Sequence, residues 1–241
     1  MKNKVYNWLK NSHSWLFPSS CVLCGDPATN SVDLCEHCHA DLPVIDCACE
    51  CCARPMAVEG LCGQCLRHPP RYHHTLAAYH YAPPVSTLVQ RLKYNGKLQH
   101  ARLLGRLMAQ EIEYQYLDDS LPNVIVPMPL HKSRLRQRGF NQALELARPI
   151  ADQLNIGIDT SLVERYRKTL SQSELPAKER RANVRGAFRQ VKKIEVSHIA
   201  IIDDVMTTGA SVDELARVLM GSNIERVDIW TCCRADSPNR K

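Results

Sequence analysis

Residues 199–211 read Ile199-Ala-Ile-Ile-Asp203-Asp204-Val-Met-Thr207-Thr208-Gly209-Ala210-Ser211. A short apolar run ends in two adjacent carboxylates, and a Thr-Thr-Gly turn follows. A helical pattern then opens, with Val212, Leu215, Ala216, Val218 and Leu219 as its apolar positions. Strand, acidic pair, hydroxyl-rich turn and helix start, in this order, describe a site for a sugar phosphate. Backbone N–H groups at a helix N-terminus point at an anion, and the helix dipole favours negative charge there. Thr207, Thr208 and Ser211 add hydroxyl donors, and Gly209 permits close backbone approach or a positive φ. The pattern puts Asp203 and Asp204 just past the carboxyl end of a strand, where open α/β sheets bind ligands. Acceptor-only carboxylates suit ribose hydroxyls and a hydrated Mg²⁺. A lone Asp-Asp pair would mean no more than an acidic helix cap; the whole string is much harder to obtain by accident.

The string resembles the 5-phosphoribosyl-1-pyrophosphate (PRPP) signature of the type I phosphoribosyltransferases. The resemblance implies that Asp203 and Asp204 hold the ribose hydroxyls and that Thr207, Thr208, Gly209, Ala210 and Ser211 hold the 5-phosphate, with Mg²⁺ accompanying PRPP. It also implies an α/β fold with a mostly parallel sheet flanked by helices. There is one departure. Purine-base enzymes of the hypoxanthine–guanine type carry an Asp at the position of Thr207, where it faces the base. Thr207 therefore argues against that substrate class.

A chain of 241 residues has room for one large domain, or for a medium domain and a small one. Apolar and charged fractions are ordinary for a soluble protein. No run approaches the roughly 18 apolar residues of a membrane span. Residues 1–17 set Lys2, Lys4 and Lys10 around Val5, Trp8, Leu9, Trp15, Leu16 and Phe17. They lack a continuous apolar stretch and a small-residue cleavage site, so an amphipathic N-terminal helix and a cytoplasmic location are expected. Attachment to a membrane surface is the alternative use of such a helix. The formal charge of +6 is unevenly placed: residues 131–189 hold 13 Lys/Arg and 6 Asp/Glu, and the rest of the chain is close to neutral. This basic excess lies just upstream of the acidic pair. A polyanionic substrate needs such a field, and a nucleic acid also finds it attractive.

Of twelve cysteines, eight fall in regular pairs: Cys21 with Cys24, Cys35 with Cys38, Cys49 with Cys52, and Cys62 with Cys65. The CxxC spacing lets two thiolates grip one metal from a tight turn, and two such turns complete a tetrahedron. Disulfides need an oxidising compartment, and a redox CxxC comes as one motif beside a βαβ unit. Four motifs in series favour about two structural Zn²⁺ ions. Sequential use of the pairs is the simplest arrangement; a cross-braced one satisfies the spacing equally. Residues 18–70 hold few large apolar side chains, so metal binding, on the order of 10 kcal/mol per site, must take over the role of a core. Cys47 and Cys51 are spare, and a Cys₄ set has no need of His37, His39 or His68. Packing is the default role for Cys232 and Cys233 in a C-terminal strand.

Beyond Pro69-Pro70 the patterns alternate. Residues 73–81 read as a strand, 85–94 and 97–116 as helices, 123–126 as a short buried strand, 141–154 as a helix bent at Pro149, and 227–233 as a strand. Strands alternating with helices imply a mostly parallel sheet. After Val126 come His131, Lys132, Arg134, Arg136 and Arg138, with Gly139 turning into a helix capped near Asn141. Arginine forks match phosphate oxygens, so Lys132, Arg134 and Arg138 are candidates for a pyrophosphate clamp. The polar stretch from Arg165 is expected to be a mobile lid, with a short helix from Ala177. Lys168 and Arg165 are its candidates for stabilising a leaving group. A solvated basic face and an idle surface loop are the bland readings of these two stretches.

Together, the cysteine pairs, Arg138-Gly-Phe-Asn-Gln142, Gln172 with Arg180-Arg-Ala-Asn183, and Asp203-Asp204-Val-Met-Thr-Thr-Gly209 resemble the ComF family, in particular its GntX-like members. The resemblance covers about residues 18–234 and divides the chain into an N-terminal helix (1–17), a double zinc-ribbon module (18–70) and a phosphoribosyltransferase domain (71–241). It implies a role in natural competence or in the use of DNA as a nutrient. PRPP, single-stranded DNA and a competence helicase or other DNA-uptake protein are the candidate partners. Two classes of function follow. One is a phosphoribosyltransferase with an unidentified acceptor. The other is a non-catalytic PRPP sensor or single-stranded-DNA handler. Aromatic residues are not interleaved with the basic ones along the chain, so the sequence displays no platform for stacking bases.

Overall fold

A computed structural model describes residues 20–28, 32–170, 176–221 and 224–235; the expected helix over 1–17 lies outside them. Two compact units divide between Leu42 and Pro43, within the segment that the sequence presents as one cysteine module. The smaller unit holds the first two CxxC turns and helix α1 (Glu36–Ala40). The Cys35 side chain caps this helix by accepting from the Cys38 N–H. Val32, Leu34 and Leu42 are its buried apolar residues.

In the larger unit, helix α2 (Gly63–Arg67) follows the last cysteine turn. The expected strands and helices then come in order, together with short strands at 157–158, 163–165 and 188–190 that the sequence does not announce. They are β1 (His74–His80), α3 (Val85–Asn95), α4 (Leu98–Gln115), β2 (Val124–Pro127), α5 (Lys132–Arg138), α6 (Gln142–Leu154) and β3 (Gly157–Ile158). After them come β4 (Val163–Arg165), α7 (Ala177–Val184), β5 (Phe188–Gln190), β6 (His198–Met206), α8 (Ala210–Leu219) and β7 (Arg226–Arg234). The sheet runs β1-β7-β6-β2-β3 with every neighbour parallel. Ile199, Ala200, Ile201 and Ile202 are all fully buried in the central strand. Such an unbroken apolar run is what a parallel strand covered on both faces requires.

The structure departs from the sequence reading in two places that shape the site. First, β6 does not end at Ile202. Pro127 closes β2 opposite Ile202, and a proline has no N–H to continue the ladder. On the other side β7 carries the pairing on to Met206 opposite Arg234. Asp203 and Asp204 therefore belong to the strand, at the point where its β2 side falls open. Second, the stretch expected to be a lid begins as structure. Val163–Arg165 pairs antiparallel with Phe188–Gln190, so Arg165 sits on a strand. Part of that stretch, residues 171–175 with Gln172, lies outside the described residues.

Candidate sugar-phosphate site and metal centres

The acidic pair is held from both directions. Asp204 is 3% exposed, and its Oδ2 lies 2.9 Å from Nζ of Lys93 in the last turn of α3. Burial opposes the lysine's charge, but Asp204 outweighs it and raises the Lys93 pKa. Asp203 is half-buried, and its Oδ1 accepts from the Asp204 N–H at 2.9 Å. Burial first, then the neighbouring Asp204 carboxylate, push the Asp203 pKa up to about 7, against the pull of Lys93. A carboxyl poised in this way ionises readily once a cation or several donors arrive.

The turn after the pair adopts the expected form. Gly209 takes φ 77°, a left-handed conformation that suits glycine, and opens α8 with no side-chain cap of its own. A Cβ there would also meet Met206 Cε at 2.8 Å. Thr208 Oγ1 accepts from the Ala210 N–H at 3.4 Å. Thr207 and Ser211 line a cavity of about 230 Å³ together with Asp203 and Asp204.

Cations line the same cavity. Of the sequence candidates, Arg134, Arg138 and Arg165 line this cavity. Lys132 and Lys168 are exposed and do not line it. The short basic helix α5 is capped by His131, whose Nδ1 accepts from the Ser133 N–H at 3.2 Å. Gly139 ends it at φ 82°, and Asn141 caps α6 by accepting from the Ala143 N–H at 3.0 Å. Asn141 also donates to the Met128 carbonyl, and Arg138 donates to Gln142. The stretch from Arg138 to Gln142 thus turns the chain and aims Arg138. Arg165 donates to the Thr169 hydroxyl and lies 5.4 Å from the Phe188 ring centre, but its Nε is buried without a partner. An unpartnered buried donor on a cavity wall suits an anion. Burial lowers the pKa of both Arg138 and Arg165; Asp204 and Asp203 draw Arg138 back toward its charged form, and Asp203 does so for Arg165.

Sequence reasoning missed Lys93, Tyr81 and Tyr94, which also line the cavity. Tyr94 and Phe140 further share an adjoining cleft of about 610 Å³ with Lys93, Arg134 and Arg138. No local pattern marks Lys93, an ordinary cation late in an amphipathic helix.

The cysteines close into two sequential sets, one in each compact unit: Cys21, Cys24, Cys35 and Cys38, and Cys49, Cys52, Cys62 and Cys65. This removes the cross-braced alternative. Within each set the sulfurs lie within 4.8 Å of one another. Cys24 and Cys35 are 3.6 Å apart, and Cys52 and Cys62 are 3.7 Å apart. A tetrahedron with Zn–S bonds of about 2.3 Å has edges of about 3.8 Å, so both sets fit zinc. His37, His39 and His68 are exposed and outside both sets. Cys232 and Cys233 are fully buried in β7. Among the described residues no helix is long and apolar enough to cross a membrane.

Comparison with known proteins agrees with this architecture. A family model described as a double zinc ribbon domain matches residues 12–66, and one described as a phosphoribosyl transferase domain matches residues 141–241. The DNA utilization protein YhgH of Salmonella typhimurium is 35% identical over 221 residues, covering 90% of this chain and 97% of that protein. Competence protein F of Haemophilus influenzae is 34% identical, covering 72% of this chain and 78% of that protein. Competence protein ComFC of Bacillus subtilis is 29% identical, covering 71% of each. Cysteine module, parallel α/β domain and relatives point the same way: the chain belongs to the ComF family, which includes the DNA utilization protein YhgH and competence protein F.

Proposed function

We propose that this protein binds PRPP with Mg²⁺ in the cavity at the carboxyl end of β6 and works there as a phosphoribosyltransferase in DNA utilisation. The observation that carries this reading is that Asp203 and Asp204 line one cavity together with Arg134, Arg138, Arg165 and the Asp204-paired Lys93, beside the glycine start of α8. In this reading the backbone of 207–211 takes the 5-phosphate, with Thr207 and Ser211 adding hydroxyls. Asp203 accepts the ribose hydroxyls, and Asp204 holds Lys93 in place beside it. Arg134, Arg138 and Arg165 receive the pyrophosphate, and the exposed Lys132 and Lys168 add to the field that draws it in. Displacement at ribose C1 leaves charge on pyrophosphate and positive character on the sugar, so positioning and electrostatics do the catalytic work. Mg²⁺, when bound with PRPP, neutralises the oxygens of the leaving group.

Calorimetry with PRPP–Mg²⁺ tests the binding step. The wild-type protein should give a saturable heat that Asp203→Asn/Asp204→Asn abolishes; no heat, or equal affinity in the double variant, rejects the reading. A screen for pyrophosphate release, with nucleobases, amines and single-stranded DNA ends as acceptors, tests turnover.

One observation favours the second class of function. Tyr94 is 72% exposed and shares its cleft with Phe140 and three cations. Rings beside cations are what single-stranded nucleic acid uses. If that cleft takes DNA, binding of an oligonucleotide should fall steeply with salt and weaken in Tyr94→Ala.

A further inference from the structure

One side chain joins the second cysteine set to the sugar-phosphate turn. Arg234 ends β7 and is 3% exposed. Its Nε donates to the Cys52 carbonyl at 2.9 Å, and its Nη1 donates to the Met206 carbonyl at 2.9 Å and to that of Thr207. The first acceptor belongs to a residue of the Cys₄ set, and the other two open the turn. Neighbouring contacts run the same way. The Arg71 N–H donates to Asp213 Oδ1 in the first turn of α8 at 2.8 Å. The Tyr72 hydroxyl lies against Gly209, 3.2 Å from where a Cβ would stand. The Cys51 thiol donates to the Tyr72 carbonyl at 3.9 Å.

Among the described residues Arg234 makes no ion pair. A guanidinium buried among neutral carbonyls is costly unless compensating charge is near. Four thiolates on a divalent ion hold an excess of about two negative charges. That charge would lie on the residue set whose backbone Arg234 grips.

We propose that the Cys49–Cys65 metal centre positions the sugar-phosphate turn through Arg234. The loaded centre stabilises the buried guanidinium, and the guanidinium pins the Met206 and Thr207 carbonyls. Pinning these carbonyls sets the direction of the backbone N–H groups that follow. Arg234 is a positioning residue, and the coupling stands whatever the turn binds; only its consequence for PRPP rests on the function proposed above.

Hydrogen exchange over residues 203–212 tests the coupling with no ligand present. Zinc-loaded wild type, Arg234→Gln and Arg226→Gln are compared. Arg226 lies at the other end of β7, paired with Asp119 at 2.7 Å and Asp228 at 3.0 Å, and controls for general weakening of the strand. Exchange over 207–211 should speed on the order of tenfold in Arg234→Gln, but not in Arg226→Gln. Wild type stripped of zinc should match Arg234→Gln over the same residues. Unchanged exchange in Arg234→Gln or in zinc-stripped wild type, or equal acceleration in Arg226→Gln, overturns the proposal. If Arg234→Gln does not fold, Arg234→Lys keeps the charge but loses the fork that spans both sets of carbonyls, and the comparison is read on it. Calorimetry with PRPP–Mg²⁺ separates the two claims. Coupling without binding retains this proposal and rejects the PRPP reading, and binding with unchanged exchange does the reverse.

Discussion

Asp203 shows how a carboxyl in a cavity is kept away from its ordinary protonation balance by its neighbours. Its pKa stands near 7, well above the ordinary carboxylate value, because it is buried beside Asp204. A raised carboxyl pKa means that the folded state holds a proton that the unfolded chain has released. Stability is therefore full below the unfolded value and falls as pH rises toward 7, by up to about 1.4 kcal/mol per pH unit. Asp203→Asn removes this loss. Urea melts should show the variant gaining on the wild type at about pH 8 and matching it near pH 3, where Asp203 is protonated in both states. Equal differences at both pH values would mean that the burial of Asp203 carries no such cost. On the proposed function, in which the ionised Asp203 carboxylate accepts the ribose hydroxyls, PRPP–Mg²⁺ affinity should rise through pH 7. The acidic pair, Gly209 and Arg138 were legible in the sequence because each lies in a contiguous motif. Lys93 and Arg234 were not, because their partners Asp204 and Cys52 are distant in sequence and no periodicity connects them.

At the scale of elements, most boundaries follow from apolar spacing, while the contacts between elements do not. Helices α4 and α6 meet at Gly105. A Cβ there would stand 2.3 Å from Pro149 Cγ and 2.7 Å from the Leu146 carbonyl oxygen. In an open helix Gly→Ala gains about 1 kcal/mol. Here the clash with a ring and a backbone oxygen outweighs that gain, so Gly105→Ala should cost about 1–3 kcal/mol in a urea melt. A neutral or stabilising result would show that the two helices slide apart freely. Pro149 reads in the sequence as a bend in its helix; the structure gives its ring a second role as a packing surface. The length of β6 was likewise hidden. The apolar run stops at Ile202, but backbone pairing with β7 carries the strand four residues further. Hydrophobic pattern reports burial, and a strand whose end lines a polar cavity departs from it where the polar side chains begin.

For the whole molecule, two Cys₄ centres and one parallel sheet divide the work of stabilisation. Elemental analysis should find about two zinc ions per chain. Chelation should lower the melting temperature, because metal binding contributes folding free energy directly; zinc-free protein with an unchanged melt would rule out that contribution. The second centre falls within the compact unit that also contains the sheet, whereas the first falls in the smaller one. The basic excess of residues 131–189, a property of composition, is gathered where Arg134, Arg138 and Arg165 line the cavity that holds the acidic pair. By itself the sequence determined the family, the order of the longer strands and helices, the eight paired cysteines and the glycine turn that opens α8. All of these are local patterns, read over a few turns of chain. Tertiary structure alone decided how the cysteines are shared, which cations reach the acidic pair, and that Arg234 ties a metal centre to the turn. Those outcomes depend on side chains brought together from distant segments by the packing of a parallel sheet, whose crossovers place sequence-remote residues at one edge.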